Sequence, residues 1–214
     1  MEAVVLRDVW KRYRTGWVLR GVSLSLEQGE SLLVLGANGS GKTTLLRIIA
    51  GLVRPTRGEV RVLGGSPVEP GIRSRLGLVA HHSLLYQELT VRENLEYYAK
   101  LYGVEGYEPE RDPVVEALGL RAYLDRRVEE LSFGWRRRAD IARALLHGPS
   151  LLLIDEPFTG LDDRAQEALA GLLNELRSKR VSIVATSPSV SAVELLEGFK
   201  VYRIAGGRLE PVGG

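Results

Sequence analysis

Cysteine is absent from this chain of 214 residues, which excludes disulfides and thiolate metal centres. Long apolar runs are also missing. The longest, among them Leu151 to Ile154 and Leu32 to Leu35, fall far short of the ~20 residues a membrane-spanning helix needs. There is no large excess of charge of either sign: the formal net charge is +2, which gives no support to nucleic-acid binding. Lysine is confined to positions 11, 42, 100, 179 and 200, histidine to 81, 82 and 147, and glutamine to 28, 87 and 166. No internal repeat or low-complexity segment interrupts the chain, and the start, with Glu2, does not read as a signal peptide. The expectation is a cytoplasmic protein that reaches a membrane only through a partner. With 44% hydrophobic residues it has material for a sizeable core.

What is present centres on Gly36-Ala37-Asn38-Gly39-Ser40-Gly41-Lys42-Thr43-Thr44. It follows an apolar strand pattern at Ser31 to Leu35 and precedes a helical one at Leu45 to Ala50. That is the strand–turn–helix setting of a phosphate-binding loop. Glycines let backbone N–H groups turn inward as a nest for phosphate oxygens, and the helix N-terminus adds unpaired donors. Lys42 is placed to reach the β- and γ-phosphates of a nucleotide and the Thr43 hydroxyl to ligate Mg²⁺.

Around this loop the pattern is mixed. Alternation predicts strands near residues 4–11 and Val22 to Leu26, then Glu59 to Leu63 and Arg75 to Ala80. From Val91 to Leu101 the period becomes helical, with Leu95, Tyr98, Ala99 and Tyr102 on one face and Thr90/Glu93 spaced as a capping box. Further helices are expected at Val114 to Leu118, Ala122 to Glu130 and Arg137 to Leu146. Strand Leu151 to Ile154, helix Arg164 to Arg177, strand Val181 to Ala185, helix Ser191 to Glu197 and a hairpin over Val201 to Ala205 and Arg208 to Glu210 complete the reading. This is a single α/β domain over 1–214, with a core lobe at 1–83 and 148–214 and a helical lobe inserted at 84–147.

Leu151-Leu152-Leu153-Ile154-Asp155-Glu156 is an apolar strand ending in two carboxylates. Ligand groups of open α/β sheets collect beyond strand carboxyl ends. Asp155 is therefore expected near Thr43 as a second Mg²⁺ ligand, and Glu156 near the γ-phosphate as a general base for water.

Leu131-Ser132-Phe133-Gly134-Trp135-Arg136-Arg137-Arg138 resembles the L-S-G-G-Q-x-x-R signature of ABC-transporter ATPases, and Thr159-Gly160-Leu161-Asp162 resembles that family's D-loop. The resemblance covers the whole chain in the right order. It implies the ABC-type P-loop NTPase fold, with a mixed sheet, an N-terminal antiparallel β part and the helical lobe. It also implies Tyr13 stacking on adenine and ATP with Mg²⁺ as cofactors. The implied assembly is a head-to-tail dimer in which Ser132, Gly134 and Asp162 cover the nucleotide of the other subunit. Membrane permease subunits convert the motion into transport, which would hold the chain at the inner face of the cell membrane. The stretch His81 to Leu95, with Asp155 to Thr159, most resembles the ATPase of the haem-exporter (cytochrome c maturation) system.

Three positions depart from that family pattern. The Q-loop glutamine falls on His82, or on His81 with a more general spacing. The signature carries Phe133 and Trp135 in place of Gly and Gln, Phe133 adding bulk where backbone comes close to phosphate. The switch histidine is replaced by Ser187. Slow hydrolysis is the resulting expectation, and the alternative is a nucleotide-binding switch or assembly module. Arg136 to Arg138 is read as a solvated helix face bonded to neighbouring acids rather than a nucleic-acid patch.

Overall fold

The computed structural model describes residues 1–212. β1 (Glu2–Tyr13) and β2 (Gly16–Glu27) form a long antiparallel hairpin, and β4 (Arg57–Val62) joins β1 on its other edge. The second sheet has the order β5-β6-β7-β3-β8-β9, from β3 (Ser31–Leu35), β5 (Leu76–Val79), β6 (Leu151–Ile154), β7 (Ser182–Ser187), β8 (Lys200–Ala205) and β9 (Arg208–Pro211). It is parallel except for the terminal hairpin β8–β9.

Alternation along its central strands assigns them to two cores. Leu32 and Val34 of β3, with Leu151 and Leu153 of β6, pack towards α1 (Lys42–Ile49) and the antiparallel sheet. Leu33, Leu35, Leu152 and Ile154 face the opposite layer, made by α3 (Val91–Tyr102), α4 (Pro113–Ala117), α5 (Phe133–Leu145) and α6 (Asp163–Ser178). Each fully buried Leu or Ile contributes about 1.5–3 kcal/mol. The parallel strands are therefore buried on both faces, and their polar ends are the places left for chemistry. Two short helices, α2 (Pro70–Arg73) and α7 (Ala192–Leu195), complete the fold.

The helices inserted between β5 and β6 are the helical lobe. α3 starts at the expected capping box: the Thr90 hydroxyl accepts from Glu93 N at 3.1 Å and the Glu93 carboxylate accepts from Thr90 N at 2.8 Å. The helix expected at Ala122 to Glu130 is absent. Two 3-10 turns, Arg121–Tyr123 and Val128–Glu130, stand there instead. The backbone of this stretch bonds across the chain: Val128 N and Glu129 N donate to the carbonyls of Leu89 and Gln87. α5 begins at Phe133, four residues before the expected start, because Ser132 has the extended backbone of an N-cap. α7 is shorter than the Ser191 to Glu197 helix expected, and α2, opened by Pro70 at its first turn, is not foreseen by periodicity.

Candidate active site

β3 ends at Leu35 and the chain turns into α1 through residues 36–41. Two glycines there are required by space. A Cβ on Gly36 would lie 2.6 Å from the Ser40 hydroxyl and 2.8 Å from the Ile204 carbonyl oxygen, and Gly41 has φ +111° with the Val18 carbonyl close by. The turn wraps Lys42, which is buried and donates to the carbonyls of Gly36 at 2.7 Å and Ala37 at 3.1 Å. Its ammonium lies 3.7 Å from Glu156 Oε1. The buried Ser40 hydroxyl has no protein partner, and the first-turn N–H groups of α1 have none within the helix. Unmet donors and one cation in a concave loop are the chemistry of an anion cradle.

The ends of β6 and β7 complete it. Ile154 pairs with Ala185, which brings Asp155 beside Thr186. The Thr43 hydroxyl donates to Asp155 Oδ2 at 2.8 Å, and the Thr186 hydroxyl donates to Asp155 Oδ1 at 2.5 Å. Thr186 Oγ1 also accepts from Glu156 N at 3.1 Å. Glu156 itself has φ +51°, left-handed backbone that a glutamate rarely adopts. A cavity of about 490 Å³ is lined by Asn38, Gly39, Gly41, Lys42, Thr43, Thr44, Val18, Arg47, His81, His82 and Glu156. Of the sequence-predicted loop residues, Asn38, Gly39, Gly41, Lys42, Thr43 and Thr44 therefore meet Glu156 and both histidines in one place, while Gly36 and Ser40 lie outside the lining. The two imidazoles stand edge to face, 5.1 Å apart.

Other expected residues lie elsewhere. Tyr13 is outside the lining of that cavity; it ends β1, exposed, with the Lys11 ammonium 5.0 Å from its ring. Ser132, Gly134 and Asp162 line a separate cavity of about 330 Å³ with Phe133, Trp135 and Gly160. Asp162 is occupied as the N-cap of α6, accepting from Ala165 N at 2.8 Å. Phe133 is half-exposed and its ring edge lies against Gly160, where a Cβ would come within 2.4 Å of it. Ser187 borders a smaller cavity that Glu156 also lines, but its hydroxyl closes a local turn: it donates to the Ser189 carbonyl at 2.9 Å and accepts from Ser189 N at 3.0 Å.

Arg136 to Arg138 are not the solvated, acid-bonded face that was expected. Arg137 is buried and bonds backbone carbonyls, Arg136 donates to the Leu131 carbonyl at 3.0 Å, and the Arg138 guanidinium stacks 4.3 Å over Trp135. Arg137 hydrogen-bonds carbonyls only, while the Asp140, Asp155 and Glu156 carboxylates lie near enough to offset part of its buried charge. Thr186, Val18 and Arg47 escaped the sequence reading. For Thr186 the one available signal is its place at the carboxyl end of a strand, next to Ser187.

The family model for ABC transporters matches residues 19–159. The chain belongs to the ABC transporter family, as its ATPase domain. It is 38% identical over 183 residues to the ABC transporter ATP-binding protein NatA of Bacillus subtilis, covering 83% of this chain and 74% of that protein. It is 36% identical to the Nod factor export ATP-binding protein I of Rhizobium etli, covering 92% of this chain but 63% of that protein. With the sn-glycerol-3-phosphate import ATP-binding protein UgpC 1 of Rhizobium johnstonii it shares 36% identity over 58% of that protein's length. The ABC chain thus spans about three fifths to three quarters of the curated relatives it matches.

Among solved structures, the ATP-binding subunit of an ABC transporter superposes with a TM-score of 0.88 at 28% identity, covering 98% of this chain and 90% of that one. The dimeric post-hydrolysis cassette MJ0796 bound to ADP and Pi superposes with 0.84 at 27% identity, covering 99% of each. An α/β P-loop ABC fold with a mixed sheet and inserted helical lobe follows from these superpositions.

Proposed function

We propose that this chain binds and hydrolyses ATP as the nucleotide-binding subunit of an ABC transporter, acting as a head-to-tail dimer beneath membrane permease subunits. The observation that carries this is the convergence of Lys42, the Thr43–Asp155 pair and Glu156 on one cavity. Lys42 neutralises phosphate charge, and the N–H groups of the first α1 turn, which have no partner within the helix, donate to phosphate oxygens. Mg²⁺ fits the donor set: Thr43 Oγ1 and Asp155 Oδ2 are hard oxygens 2.8 Å apart, the type that ion takes, and when bound it neutralises phosphate charge. Glu156 accepts a proton from the attacking water as phosphate and ADP separate. Its place next to Lys42 keeps the carboxylate at the open end of the loop.

Dimerisation is supported by the two separate cavities. The phosphate-loop cavity and the Ser132–Gly134–Asp162 cavity share no lining residue, so one chain presents two unmatched halves. The MJ0796 cassette is a dimer with this fold. In this reading 84–147 is the helical lobe, Tyr13 meets adenine, and His82 or His81 stands in the Q-loop place. The chain is held at the inner membrane face by its partners; among the described residues no helix is long and apolar enough to cross a membrane.

A slower or purely binding role has one specific observation in its favour, the engagement of the Ser187 hydroxyl in its own turn. Steady-state hydrolysis of Mg-ATP by the purified chain, alone and with its membrane partners, separates the two: no turnover in either condition rejects the hydrolytic reading. For cargo, the relatives' printed names span glycerol phosphate import and Nod factor export, so they set no direction. Haem export rests on the resemblance of residues 81–95 and 155–159, and haem-stimulated turnover in reconstituted vesicles is its test.

A further inference from the structure

Arg137 sits one turn into α5, on the inward side of the helix whose first turn carries Ser132 and Gly134. It is 6% exposed, and its hydrogen-bond acceptors are main-chain carbonyls. Nη1 donates to Ala80 O at 2.7 Å, at the entrance to the His81–His82 segment. Nη2 donates to Asp155 O and, at 3.2 Å, to Glu156 O. Placing a guanidinium in the interior is costly, and a structural role alone is served as well by an apolar side chain. What distinguishes the site is its acceptors. Two of the three flank Glu156, whose φ of +51° is a conformation of order 1–3 kcal/mol above the ordinary ones and persists only when its surroundings over-determine it. The Glu156 N–H is held separately, by Thr186. The peptide unit before the strained residue is therefore held by side chains from two elements, Arg137 and Thr186, and the one after it by Arg137 together with the Thr159 N–H. The Glu156 carbonyl also accepts from Thr159 N at 3.3 Å, and the Thr159 hydroxyl donates to Glu156 Oε2 at 3.3 Å, but both are local bonds within the same turn; Arg137 alone reaches this backbone from the signature helix.

We infer that Arg137 is a positioning residue for hydrolysis: from the signature helix it holds the Glu156 backbone in its left-handed conformation and thereby aims the carboxylate at the phosphate-loop cavity. The inference rests on Glu156 being the base, and it ties that base to the helix turn that would cover a nucleotide on a second subunit.

The test uses the intact chain with Arg137→Met, which removes all three bonds, and Arg137→Lys, which keeps the charge but not the fork. Single-turnover hydrolysis and ATP affinity by calorimetry are measured for the parent, each variant, Glu156→Gln and the Arg137→Met/Glu156→Gln double variant. A misaimed base predicts a loss in rate of about tenfold or more for Arg137→Met with affinity changed less than about threefold, and Arg137→Lys between the two. In the Glu156→Gln background Arg137→Met should lower the rate no further. Losses that multiply, or affinity that falls in step with rate, overturn the inference. Amide hydrogen exchange without nucleotide is the second readout and needs neither dimer nor turnover. Residues 155–160 should exchange faster in Arg137→Lys than in the parent, while residues 31–35 are unchanged. Equal exchange at 155–160 overturns the inference even if the chain hydrolyses ATP, and an inactive chain with the expected exchange rejects the hydrolytic reading while retaining the strut. If Arg137→Met does not fold, Arg137→Lys supplies both readouts.

Discussion

The Thr43 hydroxyl donates to Asp155 Oδ2 at 2.8 Å across 112 residues of sequence. This bond joins the start of α1 to the end of β6, and it is possible only because β3 and β6 flank β7 in one parallel sheet with their carboxyl ends together. The two halves of the site are each local in sequence. What makes them a site is the strand order.

Lys42→Ala is expected to abolish tight ATP binding. The ammonium is buried, bonded to two loop carbonyls and close to Glu156, so its removal takes a cation from the cradle and leaves Glu156 facing phosphate charge uncompensated. Charge-assisted bonds contribute about 1.5–3 kcal/mol each, so a loss of roughly 10–100-fold or more is expected. Calorimetric titration with ATP checks this; affinity within a few-fold of the parent would reject the loop assignment.

Glu156→Gln is expected to retain ATP and close the dimer without releasing it. The substitution keeps shape and removes the proton acceptor, while the backbone bonds from Thr186 and Arg137 do not depend on the side chain. Size-exclusion chromatography in Mg-ATP, with cross-linking, should show a dimer that the parent does not accumulate. A variant that stays monomeric at every concentration contradicts the head-to-tail dimer.

The loop, Asp155 and Glu156 were legible in sequence because each sits in a short local pattern: glycines at fixed spacing before a helix, or carboxylates closing an apolar run. Thr186 and Arg137 were not. Thr186 acquires its role from the pairing of Ile154 with Ala185, and no spacing along the chain encodes that register. Arg137 lies in a run of three arginines that looks solvated; only the packing of α5 onto the ends of β5 and β6 turns one of them inward. The stretch 122–130 misled for a similar reason. Its residues suit a helix, but bonds to the carbonyls of Gln87 and Leu89 outweigh that weak preference. Asn94 shows the same effect inside a correctly expected helix. It is fully buried, and its amide holds both the N–H and the carbonyl of Tyr86, fixing the loop that precedes α3.

Stability is expected to fall on mild acidification through His147. Its ring stacks on Tyr102 at 3.8 Å and Nε2 donates to the Leu76 carbonyl at 3.1 Å. Burial, with Arg143 nearby, holds its pKa below the ordinary imidazole range despite the Leu76 bond. A folded value below the unfolded one means the unfolded chain takes up the proton first. The contribution is intact above about pH 6.5 and is lost as pH falls below it. Urea midpoints between pH 7.5 and 5.5 should decline in the parent and decline less in His147→Gln; parallel slopes would contradict this.

Ser187→His is expected to raise turnover while leaving ATP affinity little changed. The family resemblance puts Ser187 where a histidine would contact the γ-phosphate and the attacking water, and loss of such a donor from a site of developing charge slows reaction by about 10²–10³-fold. The phosphate loop is intact, so binding should be near normal in the parent and hydrolysis slow. The structure adds a complication. The Ser187 hydroxyl both donates to and accepts from Ser189, and a histidine must give up that turn before its ring can reach the cavity shared with Glu156. Ser187→Ala gives up the same turn without adding a ring, so it is the reference against which the histidine is read. The measurements are kcat at saturating Mg-ATP, ATP affinity, and a urea midpoint for each protein. A histidine variant faster than the alanine variant by tenfold or more, about 1.4 kcal/mol of barrier, identifies the missing donor as the block. Equal rates in the two variants, with a parent that barely turns over, move the block to His82 and Phe133. The first of these lines the phosphate cavity and the second lies against Gly160, so His82→Gln and Phe133→Gly would then be the substitutions that restore hydrolysis.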